Sequence, residues 1–401
     1  MLPSWYPTKE NPFSGSFFRE QALAVKDYYK FNVLHVNYKK CFLIEYFFSR
    51  KELLKIFEEG NIEEYNVTIY RPIIFYIRKY FSLFVKKIKP NKKNDSSLQV
   101  FEKSEKKQFF KILKLNSSLK FDYVYGLTAQ DMACSSYIIS QISKKPLVLA
   151  EHAPFPWPGK TIDSFTKEAI ENADLFFAIS NDKIRQILLQ NIKPKRIEYL
   201  CNLVDETMFK MEPVNNKIKT FIIVASNSFY KQYDMFIKIM NHLTKITKIP
   251  FKVIVAGYGS NKGYSQNVEA LEEKLKSSDF NDRLEMIRSV PRNELSDVYN
   301  RADCFVMTSI QEGQPVSALE AACCGLPVFS TRCGGVEDYV DEKIGRIYNI
   351  TDYESFAQGL KQFLEEKIVF NKTYIRNTII NKFGKAAFIK NFVNYFESIR
   401  K

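Results

Sequence analysis

The sequence predicts an α/β protein built as two domains, each around a parallel sheet, with the sheets facing a central cleft. Three observations predict it. The chain has 401 residues, more than one ordinary hydrophobic core accommodates. Through the C-terminal half, apolar β-branched runs alternate with helical stretches at the spacing of βαβ units. Those runs lack period-2 alternation, as strands buried on both faces do.

The C-terminal elements follow in order. FIIVA (221–225) reads as a strand, MFIKIMNHLTKI (235–246) as a helix and FKVIVAG (251–257) as the next strand. VEALEEKLKSS (268–278) is helical, RLEMIR (283–288) is a short strand, and NELSDVYNRA (293–302) is again a helix. DCFVMTS (303–309) and LPVFST (326–331) are strands around the helix VSALEAACC (316–324), which Gly325 and Pro327 stop. In the N-terminal half a helix over 17–29 precedes a strand over 31–38, and YNVTIYRP (65–72) has strand character. FDYVYGLT (121–128), KPLVLAEH (145–152) and DLFFAIS (174–180) are strands, and RIEYLCNLVD (196–205) closes this half. The linker is expected near 203–216. This divides the chain into a domain over 1–204 and another over 205–384. The last stretch, 385–401, has apolar positions at helical spacing and is expected to pack back on the first domain. Only Met1 and Leu2 precede Pro3, so the first strand is either very short or truncated by a misplaced start.

Composition excludes several classes. Hydrophobic residues make up 45% and charged residues 26%, which suits a globular chain rather than a disordered one. No apolar run is long enough to span a bilayer, and the N-terminus lacks an apolar signal region, so a cytoplasmic protein is expected. The seven cysteines are scattered without a CxxC pair and read as reduced, buried thiols. Three histidines do not make a His-rich metal site. The net charge of +14 is uneven: residues 1–205 hold 32 Lys/Arg against 22 Asp/Glu, and residues 51–120 hold 16 against 8. A basic first domain attracts polyanions, namely anionic lipid headgroups, pyrophosphate-linked acceptors or nucleic acid. Within it, 73–93 interleaves aromatics with Arg78, Lys79, Lys86, Lys87, Lys89, Lys92 and Lys93, so peripheral contact with an anionic membrane is expected.

The segment that carries chemistry is SIQEGQPVSALEAACCGLPVFSTRCGGVEDYV (309–340). A strand ends near Ser309, and a turn with Glu312, Gly313, Gln314 and Pro315 opens a helix at Val316. Gly313 permits close backbone approach to a ligand, and Pro315 suits a first helical position. The helix N-terminus offers free amides and a positive dipole to a phosphate. Glu312 and Glu320 can face one crevice, one holding sugar hydroxyls and the other the ribose.

This segment resembles the signature of family-4 glycosyltransferases of the GT-B fold, E-G-x6-E-A-x-A-x-G-x-P-V followed by G-G. Glu312, Gly313, Glu320, Ala321, Gly325, Pro327, Val328, Gly334 and Gly335 match it. Gln314-Pro315 replaces the usual Phe-Gly, and this is expected to change contacts near the donor sugar. The resemblance extends along the chain. LPSWYPTKENPFSGSFFREQA (2–22) is similar to the family's loop-then-helix, placing Gly15 near the donor phosphate and acceptor. EHAPFP (151–156) resembles its strand-end motif, placing His152 near the donor sugar. CNLVDETMF (201–209) is similar to the segment that leads into the linker. VASNSFYKQYD (224–234) resembles the diphosphate-binding segment: Lys231 matches its Lys, while Ser226 stands where the family has an Arg. Arg283, Arg288 and Arg292 are candidate substitutes for that charge. VIVAGYG (253–259) resembles a second glycine loop, with Gly257 at the donor.

The resemblance implies two Rossmann-like domains and transfer of a hexose-type sugar with retention, from a nucleotide sugar such as a UDP- or GDP-sugar to a glycan or lipid-linked acceptor. Glu312, His152 and Lys231 would be catalytic. Gly15, Ser226, Lys231, Gly257, Arg288, Glu312, Gly313, Gln314, Pro315, Val316 and Glu320 would bind the donor. No D-x-D metal motif occurs, so no metal or other cofactor is expected. Surface polysaccharide synthesis at the inner face of the cell membrane is the setting it suggests. One rival is a non-catalytic sugar-nucleotide binder, which Ser226 favours. A nicotinamide oxidoreductase lacks its G-x-G-x-x-G, and a nucleic-acid binder lacks a module beyond charge.

Overall fold

The computed structural model describes residues 1–7, 15–48, 53–74, 96–116, 119–213, 216–259 and 267–400. The basic aromatic stretch therefore lies outside the described residues from position 75 onward.

Among the described residues the N-terminal domain holds two sheets: β1 (Phe31–Cys41), β2 (Leu53–Glu59) and β3 (Ile62–Pro72) in the order β1-β3-β2, and β4 (Val124–Leu127), β5 (Leu147–Glu151), β6 (Leu175–Ala178) and β7 (Ile197–Tyr199) in sequence order. Met1 and Leu2 join them. The Leu2 N–H donates to the Tyr125 carbonyl at 2.7 Å, the Leu127 N–H donates to the Leu2 carbonyl, and the Leu34 N–H donates to the Met1 carbonyl at 2.8 Å. Leu2 also forms a single parallel bridge with Gly126. β2 is antiparallel to β3 with a register shift between Lys55 and Phe57. It is exposed along nearly its whole length, so LLKIFEE carries no alternating pattern by which the sequence could announce it.

The C-terminal domain holds six parallel strands in the order β10-β9-β8-β11-β12-β13: β8 (Thr220–Val224), β9 (Lys252–Ala256), β10 (Leu284–Ile287), β11 (Cys304–Met307), β12 (Val328–Thr331) and β13 (Gly345–Tyr348). Both faces are covered. Phe236, Ile239 and Leu243 of one helix pack with Phe356 and Leu360 of another on one side. On the other side Ala318 and Ala322 pack with Ile375 and Ile379. Strands buried from both sides are continuous apolar runs for this reason. β13 and the helices Tyr353–Leu364 and Lys372–Phe383 go beyond the elements expected from sequence.

The final helix, Lys385–Glu397, leaves the C-terminal domain at Gly384. Its Phe388, Phe392 and Phe396 enter the same buried cluster as Phe31, Tyr125 and Phe177 of the N-terminal domain. The Phe392 and Phe396 rings stack with centroids 4.3 Å apart. Burying each phenyl group contributes about 1.5–3 kcal/mol, enough to hold the chain end against the first domain.

The cysteines are free thiols, and six of the seven are buried. Cys323 donates to the Phe209 carbonyl while Cys324 faces Ser296, so the adjacent pair turns to different partners.

Candidate active site

In an open parallel sheet, ligands bind at the carboxyl ends of the strands where the strand order reverses. In the C-terminal sheet that point lies between β8 and β11, since β9 and β10 continue to one side and β12 and β13 to the other. The loop after β8 holds Ser226 and Lys231, and the loop after β11 holds Glu312, Gly313 and Gln314. The loops are tied together. The Ile310 N–H donates to the Tyr230 carbonyl at 2.9 Å, and the Thr308 hydroxyl donates to the Lys231 carbonyl at 2.9 Å. Lys231 Nζ then reaches Glu312 Oε1 at 2.5 Å, with the two side chains 23% and 14% exposed. This half-open ion pair is a cation and a carboxylate side by side in the crevice.

The helix after this loop is Val316–Cys323, and Pro315 is its N-cap rather than its first residue. No side chain caps that end, so its leading amides stay unclaimed by side chains beside Glu312. Glu320, one turn before the helix's end, is 3% exposed. Its Oε2 accepts from the Tyr299 hydroxyl at 3.0 Å, and Oε1 pairs with Arg292 Nη1. Burial raises the Glu320 carboxyl above the usual range, and Arg292 and the Tyr299 hydroxyl pull it back down.

The glycines lock these loops together. A Cβ on Gly313 would overlap the His152 carbonyl oxygen and sit 2.8 Å from Ile179 Cδ1. The close approach that Gly313 permits is therefore to the first domain's backbone. Gly335, at φ 73°, would drive a Cβ into the Gly313 carbonyl, and Gly334, at φ 86°, would place one 2.7 Å from Asp182. The E-G and G-G pairs of the motif form one interlocked corner facing the N-terminal domain.

That domain contributes His152, just past β5. Its ring lies edge-on to Phe18 at 4.7 Å and 5.7 Å from Phe17, and its Nδ1 is buried without a hydrogen-bond partner among the described residues. Burial, with the nearby Lys183 charge, lowers its pKa to about 3, so the imidazole is neutral at physiological pH. Beneath it the fully buried Lys183 donates to Gln186 Oε1 at 2.8 Å and to the Ala153 carbonyl. Glu151 accepts from the Ala153 and Gln130 amides at 2.8 and 3.0 Å. Burial raises the Glu151 carboxyl and lowers the Lys183 ammonium, each partly offset by the other's charge. This pair stiffens the loop that presents His152.

The remaining expected residues fall as follows. Gly15, at φ 65°, is the N-cap of the helix Ser16–Ala24, where a Cβ would meet Trp5. Gly257, at φ 78°, follows β9, and its N–H donates to the Ile287 carbonyl. Ser226 follows β8 at the crevice and brings no charge there. Gln314 is spent on another task than donor contact. Its Oε1 accepts from the Asn202 N–H at 2.5 Å, its carbonyl accepts from Asn202 Nδ2 at 3.0 Å, and its Nε2 donates to the Tyr199 hydroxyl. These bonds tie the site loop to the linker.

Of the three arginines, Arg283 is removed from candidacy by position. It immediately precedes β10, at the amino end of the sheet and opposite the crevice, in a cavity shared with Thr220 and Lys252. Arg288 follows β10 at the carboxyl end but pairs with Glu272 at 2.8 Å. Arg292 is at the site, bound to Glu320. Sequence reasoning does not single out Glu20, Tyr299, Lys183 or Asn202. Each makes a contact 21 to 272 residues away, which no local pattern marks.

Two Rossmann-like domains that face one crevice are the GT-B architecture of glycosyltransferases. Residues 204–380 match the model of the family described as glycosyl transferases group 1. The chain is 27% identical over 188 residues to the phosphatidylinositol N-acetylglucosaminyltransferase gpi3 subunit of Schizosaccharomyces pombe, a match covering 45% of this chain and 40% of that protein. It is 25% identical over 259 residues to the lipopolysaccharide 1,6-galactosyltransferase of Salmonella typhimurium, covering 62% and 68%. The chain spans only about 35–40% of the length of the first curated relatives it matches. Among solved structures, sucrose-phosphate synthase from Thermosynechococcus elongatus superposes with a TM-score of 0.70 at 13% identity, covering 96% of this chain and 92% of that one.

Proposed function

We propose that the protein is a retaining, metal-independent glycosyltransferase that moves a hexose-type sugar from a nucleotide-sugar donor to a lipid-borne glycan acceptor. The observation that carries it is the Lys231–Glu312 pair beside the unclaimed N-terminus of the helix Val316–Cys323, at the sheet's switch point. Loss of a nucleoside diphosphate develops negative charge. Lys231 and the helix amides meet that charge without reorganising. Glu312 accepts hydrogen bonds from sugar hydroxyls, and Glu320 from the ribose. His152, neutral and with a free ring nitrogen, hydrogen-bonds the sugar from the opposite domain. Approach of the domains excludes water and so limits donor hydrolysis.

A thermal-shift panel of UDP, GDP, ADP and their sugar conjugates tests this reading. One nucleotide series should raise Tm by several degrees, about 2–4 °C for each kcal/mol of binding in a domain of this size. The shift should shrink in Glu312→Ala and Glu320→Ala. No shift with any nucleotide sinks the reading. The Ser226 departure favours a second reading, a sugar-nucleotide binder without catalysis, which predicts the same shift and no transfer.

One relative's name contains a phospholipid and the other's a lipopolysaccharide, and this supports a lipid-borne acceptor and a role in surface polysaccharide synthesis. We propose a place for the protein at the inner face of the cell membrane. No helix of the described residues is long and apolar enough to cross a membrane. Phe42, Ile44 and Phe47 stand 66–73% exposed just after β1, upstream of the basic stretch in the sequence. Anionic vesicles should co-sediment the protein at low salt and release it at high salt. Charge reversal at Lys86, Lys87, Lys89, Lys92 and Lys93 should lower the bound fraction, and unchanged binding rejects the membrane contact.

A further inference from the structure

Arg292 touches both domains. Its Nε and Nη2 donate to the two carboxylate oxygens of Glu20, at 2.8 and 2.9 Å, and Nη1 pairs with Glu320. Glu20 lies on the helix Ser16–Ala24 of the N-terminal domain, whose Phe18 and Ala22 are in that domain's core. The guanidinium carbon sits 5.0 Å from the Phe209 ring, so one face of the planar fork is covered as well. Arg292 and Tyr299 arrive together, from one 3-10 turn and the helix that continues it.

These contacts set what Glu320 can still accept. A carboxylate has about four acceptor directions. Arg292 and Tyr299 take one each, which leaves two for a vicinal diol. They also fix the plane in which those two point. A buried carboxylate stays ionised only with a cation at hand, and Arg292 is that cation. Burial opposes the charge on Arg292, but Glu320 and Glu20 together hold it charged. Glu20 reaches Arg292 from the N-terminal domain, across the crevice.

We propose that Arg292 is a positioning residue that couples domain closure to recognition of the donor's ribose: clamped by Glu20 of the first domain, it orients the Glu320 carboxylate of the second to receive the vicinal hydroxyls. The proposal rests on the donor reading above. It makes the ribose subsite a property of the closed protein, and it gives the donor's nucleoside half a direct grip on the interdomain angle.

The test measures affinity for the nucleoside diphosphate selected by the thermal-shift panel and for its 2′-deoxy counterpart, by calorimetry on the full chain. Wild type should favour the ribonucleotide by about 10–100-fold, the effect of leaving a buried carboxylate short of a hydrogen bond. Glu20→Gln keeps the shape and removes the charge. It should collapse that preference to within about threefold while the 2′-deoxy affinity stays near wild type. In turnover assays the donor KM should rise more than kcat falls. Arg292→Lys retains a charge but not the fork, and should show the same collapse if Glu20→Gln folds poorly. Arg292→Met adds a pH signature. Burial already raises the Glu320 carboxyl, and without the guanidinium it rises further. Ribonucleotide affinity of this variant should therefore increase with pH more steeply than that of wild type. A ribose preference unchanged in both Glu20→Gln and Arg292→Lys, or equal weakening for both nucleotides, overturns the proposal. Absence of nucleotide binding by wild type would instead remove the donor reading beneath it.

Discussion

Replacing Lys231 by Met should lower turnover about 10²–10³-fold, equivalent to about 2.7–4 kcal/mol of transition-state stabilisation. Lys231 is the cation of the loop after β8, because Ser226 stands where an arginine would share the work. Its Nζ lies 2.5 Å from Glu312 Oε1 in the crevice. On the proposed donor reading, the charge that leaves with the diphosphate is met there, and helix amides supply only a partial charge. Loss should fall on kcat more than on donor KM, since the interaction strengthens as the bond breaks. Lys231→Arg should retain much more activity than Lys231→Met. Initial rates with the donor that the thermal-shift panel selects measure both. A kcat within threefold of wild type for Lys231→Met would move the stabilising role elsewhere, with Arg288 at the carboxyl end of β10 the next candidate.

Gly313→Ala should lower kcat/KM about 10²-fold while costing only about 1–3 kcal/mol of stability. The added methyl meets the His152 carbonyl oxygen across the domain boundary and Ile179 Cδ1 at 2.8 Å. Neither side can yield cheaply. His152 follows a central strand stiffened by the Lys183–Glu151 pair, and Gly335 is packed against the other side of Gly313. The relief left to the molecule is for the domains to stand apart by a fraction of an ångström to an ångström. That separates His152 from Glu312 and loosens the Gln314–Asn202 bonds. Steady-state kinetics beside urea unfolding separate the two effects. Near-wild-type kinetics with an unchanged unfolding midpoint would mean that the domains do not meet at this place in the working enzyme.

The contrast between what the sequence shows and what it hides has a physical basis. β8, β9, β11 and β12 are legible because both of their faces are buried, so each is an apolar run bounded by turn residues. The helices Tyr233–Ile246 and Val268–Lys276 are legible by period. β2 is hidden because it is exposed on both faces at a sheet edge, and β13 because its four residues include a glycine and an arginine. In the site, the 309–340 segment is legible as a motif because its glycines and carboxylates are local. What that segment touches is not. Gln314 reads as a neighbour of the donor sugar, whereas its side chain is committed to Asn202 and Tyr199, 112 and 115 residues away. Arg283, Arg288 and Arg292 look equivalent as a string. Only their placement before β10, after it, and on the following turn tells them apart.

The polypeptide crosses between the lobes twice, once after β7 and again at Gly384, and the two passages are fastened to each other. The Val204 N–H donates to the Phe383 carbonyl at 2.9 Å, and the Lys385 N–H donates to a Glu206 carboxylate oxygen at 2.9 Å. A joint pinned along a line permits swinging about that line and resists twisting across it. Any swing of the lobes would thereby be reduced to a single angular coordinate, and each return along it would bring the same atoms opposite one another.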